Sequence, residues 1–215
     1  MIIAIDGSTA SGKGTLAKRV AARFGLPHMD TGLLYRATGA AAINAGVNLA
    51  NEAACAQIAQ NLDLDRFDPA TLRTAAVGQA ASKVAALPAV REALLNLQRE
   101  FAGRPSGAVL DGRDIGTVIC PDADIKLWID ADLDVRAQRR AAELTQMGAS
   151  ISAEDMARQL RERDARDKGR DVAPMKPAED AVLLDTTHLS IEDMVSRAIE
   201  IIQAALKPSQ TTDNP

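Results

Sequence analysis

The chain has 215 residues, of which 47% are hydrophobic and 25% are charged, and its formal net charge is −4. These values predict one globular domain and argue against a wholly disordered chain or a basic duplex-DNA-binding protein. Aromatic residues make up only 2% of the chain, which argues against the aromatic stacking platforms of single-strand nucleic-acid binders.

Short apolar runs that end in Asp recur along the chain and predict strands buried on both faces. There are five of them: Met1–Asp6, Leu26–Asp30, Ala108–Asp111, Ile125–Asp130 and Ala181–Asp185. The stretches between them are rich in Ala, Leu and Arg at helical spacing, so the pattern predicts an α/β fold with a parallel sheet. Each terminal Asp then lies at the ligand-binding rim of the sheet or only caps the next turn.

The first strand leads into a glycine-rich loop that matches G-x-x-x-x-G-K in the strand–loop–helix context that the motif requires. Small residues let backbone N–H groups point at an anion, and the helix N-terminus adds positive charge. Lys13 would reach the β- and γ-phosphates of a nucleotide. The loop comprises Gly7, Ser8, Thr9, Ala10, Ser11, Gly12, Lys13, Gly14 and Thr15.

One position of this loop indicates which class of phosphate-loop protein the chain resembles. Gly14 stands where GTPases have the Ser or Thr that ligates Mg²⁺, and Thr15 comes one residue later. This departure counts against a GTPase or an ATPase motor. The sequence G-K-G-T is similar instead to the phosphate loop of nucleoside monophosphate kinases such as adenylate kinase.

Two further strand ends carry candidate phosphate ligands. Thr31 follows the second strand, and Arg36 would face the rim on the first turns of a helix, where an Arg suits bidentate phosphate binding. The third strand ends in D-G-R-D, where Asp111 is a candidate water-mediated Mg²⁺ ligand and Arg113 a second phosphate-binding group. A surface Arg and an ordinary Asp-Gly turn are the alternatives.

Helix boundaries are also predicted by sequence. A helix from Ala70 to Arg99, broken at Pro88, would begin at Asp68-Pro69. Ser152–Asp155 and Ser190–Asp193 resemble capping boxes with Asp in place of Glu.

The last distinctive segment is Arg158–Arg170, which holds six basic residues within thirteen positions. On a helix, Arg163, Arg166, Asp167 and Arg170 share one face. Such a run often forms a solvated helix with weak ion pairs. Beside a phosphate loop, we interpret it as a mobile source of cations for phosphoryl transfer, with Gly169 and a proline-containing loop as its hinge.

Several of these segments together resemble bacterial cytidylate kinases over essentially the whole chain. They are IAIDG…SGKGT, MDTGLLYR, VAALPAVREALL, LDGRDIGTVICPDADIK and RERDARDKGRDVAP. The resemblance implies a P-loop kinase fold, namely a five-stranded parallel sheet flanked by helices, with a nucleoside monophosphate-binding cap and an Arg-rich lid. Many members of that family carry a small β-rich insert at this point in the chain. The corresponding segment here, residues 62–76, is short and rich in Ala, so we expect a smaller nucleoside monophosphate-binding cap.

The resemblance also implies boundaries. Residues 1–207 would form one kinase domain, with its core at 1–60, 100–145 and 178–207. The cap would span about 61–99 and the lid about 146–177. Residues 208–215 would be a disordered tail.

The family's residue roles carry over to matching positions. Residues 7–15 would hold ATP, and Lys13, Arg163, Arg166 and Arg170 would be catalytic. The substrate-binding residues would be Thr31 near the CMP; Arg36, Arg113 and Arg170 at its phosphate; Ser82, Arg91 and Asp114 at cytosine; and Arg163 and Asp167 at the ribose.

The implied activity is transfer of the γ-phosphoryl group of ATP to CMP or dCMP, with Mg²⁺, in pyrimidine nucleotide metabolism. The alternatives are a P-loop kinase for another acceptor, such as UMP or AMP, and a nucleotide-binding regulatory protein. We expect nucleotides as the only partners, no nucleic acid, and a monomer. Cys55 and Cys120 lack metal or redox spacing, and neither a signal peptide nor a membrane span is apparent, so we expect a cytoplasmic protein without a membrane partner.

Overall fold

A computed structural model describes residues 1–68 and 71–206. One or more helices separate the strands, as the sequence predicts, except that only the short helical segment Ile115–Ile119 lies between the third and fourth strands. The strands are β1 (Ile2–Gly7), β2 (His28–Asp30), β3 (Ala108–Gly112), β4 (Ile125–Asp130) and β5 (Val182–Asp185). The helices are α1 (Lys13–Phe24), α2 (Thr31–Asn44), α3 (Glu52–Gln60), α4 (Ala75–Val84), α5 (Pro88–Ala102), α6 (Leu133–Gln146), α7 (Ala153–Lys168) and α8 (Ile191–Leu206).

All five predicted strands are present and form one parallel sheet in the order β2-β3-β1-β4-β5. The prediction that every strand is buried on both faces is wrong for β5, an edge strand in which only Leu184 is buried. The prediction of an α/β fold with a five-stranded parallel sheet flanked by helices is therefore confirmed. Residue Asp30 of β2 stands in register with Asp111 of β3, so two strand-terminal carboxylates are neighbours at the carboxyl rim. The order also places β1, and the loop that follows it, at the centre of that rim.

The core lies on both faces of the sheet and extends into the helices that follow β2. On one face, Ile3, Ile5, Leu127 and Ile129 pack with α1 and α8 in a cluster of buried side chains. On the other face, Leu110 packs with residues from α5 and from the segment after β3. A separate cluster joins α2, α3, α4 and α5, so these four helices share an apolar interior of their own.

Several predicted helix boundaries are correct. The hydroxyl oxygens of Ser152 and Ser190 accept hydrogen bonds from the backbone N–H groups of Asp155 and Asp193, at 3.0 and 3.1 Å. Helix α4 ends at Val84 and Pro88 opens α5, because proline is tolerated in a first helical turn but not in a helix interior.

The predicted helix start at Asp68-Pro69 is wrong. Helix α4 begins at Ala75, and the Thr74 hydroxyl accepts a hydrogen bond from the Val77 N–H at 3.3 Å. A short 3₁₀ turn at Thr71–Arg73 precedes it and buries Leu72, so packing of one side chain overrides the local helix signal. Pro69 itself lies outside the described residues.

Segment 62–76 contains two 3₁₀ turns and, among its described residues, no strand. The predicted tail, 208–215, lies outside the described part of the chain. The division into core, cap and lid stays a prediction. Across residues 1–68 and 71–206, no helix is long and apolar enough to cross a membrane.

Candidate functional site

The loop after β1 has an unusual backbone geometry, which its glycines tolerate and which Ala10 adopts at a cost in strain. Gly12 and Ala10 have φ values of 94° and 63°, in the left-handed region that disfavours most side chains. A Cβ on Gly7 would lie 1.9 Å from the carbonyl oxygen of Ile129 on β4. Residue 7 must therefore be glycine for the loop to leave the sheet at this point.

The loop borders a cavity of about 560 Å³ at the carboxyl rim of the sheet. The loop, α2, α6, α7 and the start of α8 surround it. Ten of the residues predicted to form the site line this cavity: Thr9, Ala10, Gly12, Lys13, Gly14, Thr15, Arg36, Asp111, Arg113 and Arg163. The rim therefore brings residues that are distant in sequence into one volume of nucleotide size.

Positive charge is concentrated around this cavity. Burial, reinforced by the charge of Arg113, lowers the pKa of Lys13 to about 7. Burial also lowers the pKa of Arg36 to about 10, with Arg140 adding to the effect, and lowers that of Arg163 to about 9, again with Arg113. Such mutual repulsion is relieved by an anion, so the cavity is suited to bind phosphate groups.

Two carboxylates oppose these cations. Burial, with the negative charge of Asp111, raises the pKa of Asp30. Asp111 accepts a hydrogen bond from His28 at 2.8 Å, and its other oxygen faces Gly14, where an added Cβ would lie 3.8 Å away. A cation bound beside two adjacent carboxylates relieves the repulsion between them. The pair therefore suits a Mg²⁺ ion bound through its water ligands, since Mg²⁺ keeps several waters in most protein sites.

The predicted ligands Arg113, Arg163, Asp167 and Arg170 form one charged cluster. Asp167, on α7, accepts a hydrogen bond from Arg113 Nε at 3.2 Å and another from Arg170 Nη2, and lies 3.9 Å from Arg163 Nε. Burial alone would raise the pKa of Asp167, but these three guanidinium groups hold it below its ordinary value. The buried Nε of Arg163 and both Nε and Nη1 of Arg170 have no hydrogen-bond partner among the described residues.

The predicted cytosine ligands do not line the main cavity. Arg91 Nη2 donates a hydrogen bond to Asp114, and both side chains are buried, with exposures of 6% and 7%. The Arg91 guanidinium lies 5.5 Å from the centroid of the Tyr35 ring, within cation–π range. Ser82 accepts a hydrogen bond from Arg166 at 2.7 Å, so α7 contacts α4 directly.

Thr31 also lies away from the cavity lining. Its hydroxyl donates to the Asp111 carbonyl at 2.8 Å, so its observed contact ties the start of α2 to the end of β3.

Sequence reasoning missed several charged residues that line the cavity. Among them are Lys18, Arg73, Arg139, Arg140 and Glu143. Arg139 donates two hydrogen bonds to Thr186, just after β5. The signal that could have found it was the run D-V-R-A-Q-R-R, which begins a helix directly after β4. Arg73 gave no such signal, because its position depends on the 3₁₀ turn before α4.

Comparison with known proteins covers nearly the whole chain. A family model described as cytidylate kinase matches residues 3–204. A protein named cytidylate kinase from Methylocella silvestris is 55% identical over 205 residues, covering 95% of each chain. One of the same name from Azorhizobium caulinodans is 56% identical over 205 residues, covering 95% of this chain and 99% of its own.

Solved structures of low sequence identity share the fold. An uncharacterized protein from Eubacterium ventriosum superposes with a TM-score of 0.54 at 16% identity, covering 95% of this chain and 99% of its own. The protein TT1252 from Thermus thermophilus gives a TM-score of 0.50 at 19% identity, covering 97% and 98%. At these identities the likeness concerns architecture alone.

Proposed function

Because the chain belongs to the cytidylate kinase family, we propose that it transfers the γ-phosphoryl group of ATP to CMP or dCMP. The products are ADP and CDP or dCDP. The observation that carries this proposal is the convergence of Lys13, Arg36, Arg113 and Arg163 on one cavity beside the glycine-rich loop. Four cations around one cavity suit the binding of phosphate groups from two nucleotides.

Phosphate oxygens would satisfy donors that are otherwise unused. The Nε of Arg163 and two nitrogens of Arg170 are buried without partners among the described residues, and buried donors of this kind require an explanation. The three equatorial oxygens of a transferring phosphoryl group provide acceptors for them. Arg163 and Arg170 would then act as catalytic residues, and Arg166 would join them when its contact with Ser82 is exchanged for substrate.

The reaction needs no strong general base, because the acceptor phosphate is already an anionic nucleophile. Catalysis therefore depends on positioning and on charge stabilisation. Residues 7–15 would hold the donor phosphates through backbone N–H groups, and Lys13 would reach the transferring group. Arg36 and Arg113 would orient the acceptor. Closure of the lid over the cavity excludes water, which would otherwise compete as acceptor.

The buried pair of Arg91 and Asp114 supports cytosine as the acceptor base. An ionised carboxylate only accepts hydrogen bonds, which suits the 4-amino group of cytosine, and a guanidinium only donates, which suits O2 and N3. Uracil reverses the polarity at position 4 and at N3, where it has a carbonyl oxygen and an N–H group, while its O2 remains an acceptor. Ser82 would join this pair at the base, Thr31 would lie near the CMP, and Arg163 and Asp167 would lie at the ribose.

Mg²⁺ is the proposed metal cofactor. When bound, it neutralises charge that builds on the phosphate groups. Asp111, and with it Asp30, would hold its water shell, while Gly14 offers no hydroxyl for direct ligation. The protein is further proposed to act as a monomer in the cytoplasm.

A substrate panel tests the proposal. ADP release is measured with ATP and each of CMP, dCMP, UMP, AMP and GMP, with a reaction lacking acceptor and the Lys13→Ala variant as controls. We expect rapid turnover with CMP and dCMP only. Turnover that is equal without acceptor, or fastest with AMP, contradicts the proposal.

A further inference from the structure

A buried arginine outside the predicted site links three parts of the fold. Arg136, on the first turns of α6, has an exposed side-chain fraction of only 7%. Its Nε donates to the Ala131 carbonyl at 2.9 Å, and its Nη1 donates to the Thr9 carbonyl at 3.2 Å. The same Nη1 lies 2.8 Å from Asp164 Oδ2 on α7. One side chain thus bridges the glycine-rich loop and the Arg-rich helix.

A second bridge joins the same two elements. Arg113 Nη2 donates to the Thr9 hydroxyl at 2.7 Å, and its Nε donates to Asp167 at 3.2 Å. Asp164 and Asp167 are three residues apart on α7 and therefore share one helical face. The carbonyl and the hydroxyl of Thr9 are thus connected, through two arginines, to two aspartates on one face of the lid helix.

The two bridges differ in whether their residues line the cavity in which substrate would bind. Arg113 lines the main cavity, whereas neither Arg136 nor Asp164 does. Asp164 Oδ1 is buried and has no hydrogen-bond partner among the described residues, so the closed contact leaves one carboxylate oxygen unsatisfied. Water would reach it through a local shift of α7 at Asp164, short of separating α6 from α7, which share an apolar cluster. Arg136 would keep both backbone acceptors. The unsatisfied oxygen weakens the contact relative to a fully hydrogen-bonded ion pair, which suits a contact that opens and closes.

We propose that Arg136 and Asp164 form a latch that couples occupancy of the glycine-rich loop to closure of α7. Both are positioning residues that act through Thr9 and through the lid, without touching substrate. A nucleotide that fixes the loop also fixes the Thr9 carbonyl, which holds Arg136 in place to receive Asp164. The inference rests on the proposed function, since it takes residues 7–15 as the ATP site.

The test compares Asp164→Asn and Arg136→Lys with a matched control on the same helix. Arg158→Gln breaks the exposed pair with Asp155, whose side chains are 63% and 48% exposed, and leaves the helix cap intact. Hydrogen exchange of α7 is measured with and without a non-hydrolysable ATP analogue. In the wild type and in Arg158→Gln, we expect the analogue to increase protection. In Asp164→Asn that increase is lost, and in Arg136→Lys it is reduced.

Kinetics separate coupling from a merely structural role. We expect kcat/KM for ATP to fall in Asp164→Asn by a factor within the usual range of coupling, about 5- to 150-fold. The preference for CMP over UMP stays unchanged, because neither residue touches the acceptor. The double variant loses no more than the worse single variant, since both residues serve one contact.

Analogue-induced protection that is the same in Asp164→Asn as in Arg158→Gln overturns the latch, and so does loss of the folded state in both latch variants. If the wild type fails to phosphorylate CMP, the proposed function fails instead. If the wild type is active and the latch variants match the control, only this inference fails.

Discussion

Asp114→Asn perturbs the buried pair that we assign to base recognition. The substitution keeps the side-chain shape but leaves the Arg91 guanidinium, 6% exposed, beside a neutral amide. Removing one partner of a buried ion pair costs about 3–5 kcal/mol. Because Asn retains one acceptor oxygen, we expect the free energy of unfolding to fall by about 3 kcal/mol, at the lower end of that range.

The same substitution alters substrate choice. A site that hydrogen-bonds a substrate group can reject an analogue lacking it by about 10⁴- to 10⁵-fold. With Asn at position 114, the amide can donate to O4 of uracil, which the carboxylate cannot do. We expect the ratio of kcat/KM for CMP to that for UMP to fall at least about tenfold, equivalent to ~1.4 kcal/mol.

The assay measures the ratio of kcat/KM for CMP to that for UMP in the wild type and in Asp114→Asn, at a temperature at which the variant remains folded. Asp122→Asn, at an exposed position on the loop before β4, is the matched control and leaves both stability and ratio unchanged. Equilibrium unfolding in denaturant gives the stability difference. A ratio in Asp114→Asn equal to that of the wild type removes Asp114 from base recognition and refutes the reasoning.

The other predictions concern the phosphate loop and the strand that leads into it. Lys13→Ala should lower kcat about 10²- to 10³-fold, since it removes a cation that acts on the transition state. In the free enzyme, whose Lys13 has a pKa of about 7, kcat/KM for ATP should decline as the pH rises above 7. Gly7→Ala should prevent stable folding, because its Cβ would lie 1.9 Å from the Ile129 carbonyl oxygen. Burial raises the pKa of Asp6 to about 7, so its contribution to stability is present below about pH 4 and is lost as the pH rises to 7, with a slope of up to ~1.4 kcal/mol per pH unit. Denaturant titrations of the wild type and Asp6→Asn across that range measure this difference.

A different result would contradict each of these four predictions. Wild-type turnover by a folded Lys13→Ala protein contradicts the role of Lys13, and a flat kcat/KM profile from pH 6 to 9 contradicts its lowered pKa. A folded Gly7→Ala protein of normal stability contradicts the close approach of the loop to β4. A stability difference between the wild type and Asp6→Asn that is constant with pH contradicts the raised pKa of Asp6.

The strands and the phosphate loop were predictable because short-range physics determines them. Apolar runs such as Ile125–Asp130 match β4 in both bounds, since a strand buried on both faces admits few polar residues. The Ser152 and Ser190 caps are likewise local, each depending on a residue three positions away. The local sequence pattern predicted the wrong helix start where a contact distant in sequence determines the structure. The 3₁₀ turn that buries Leu72 precedes α4 at this point.

The pairing within the site was not predictable from the sequence. The resemblance placed Arg91 and Asp114 at one base, but only the fold shows that they bond to each other. Arg136 looked like one more arginine in a helical run, because its partners Thr9 and Asp164 are far away in sequence. The pattern of charged residues in the sequence identifies candidate substrate-binding residues. Which of these residues form ion pairs with each other in the absence of substrate depends on the fold.

The most direct test of the central claim follows the transferred phosphate itself. ATP labelled with ³²P at the γ-position is incubated with the protein, CMP and Mg²⁺, and the products are separated by chromatography. The proposed function predicts that the label leaves ATP and appears at the β-phosphate of CDP, and that Lys13→Ala abolishes most of the transfer. Label recovered only as inorganic phosphate, at a rate that CMP does not change, contradicts it.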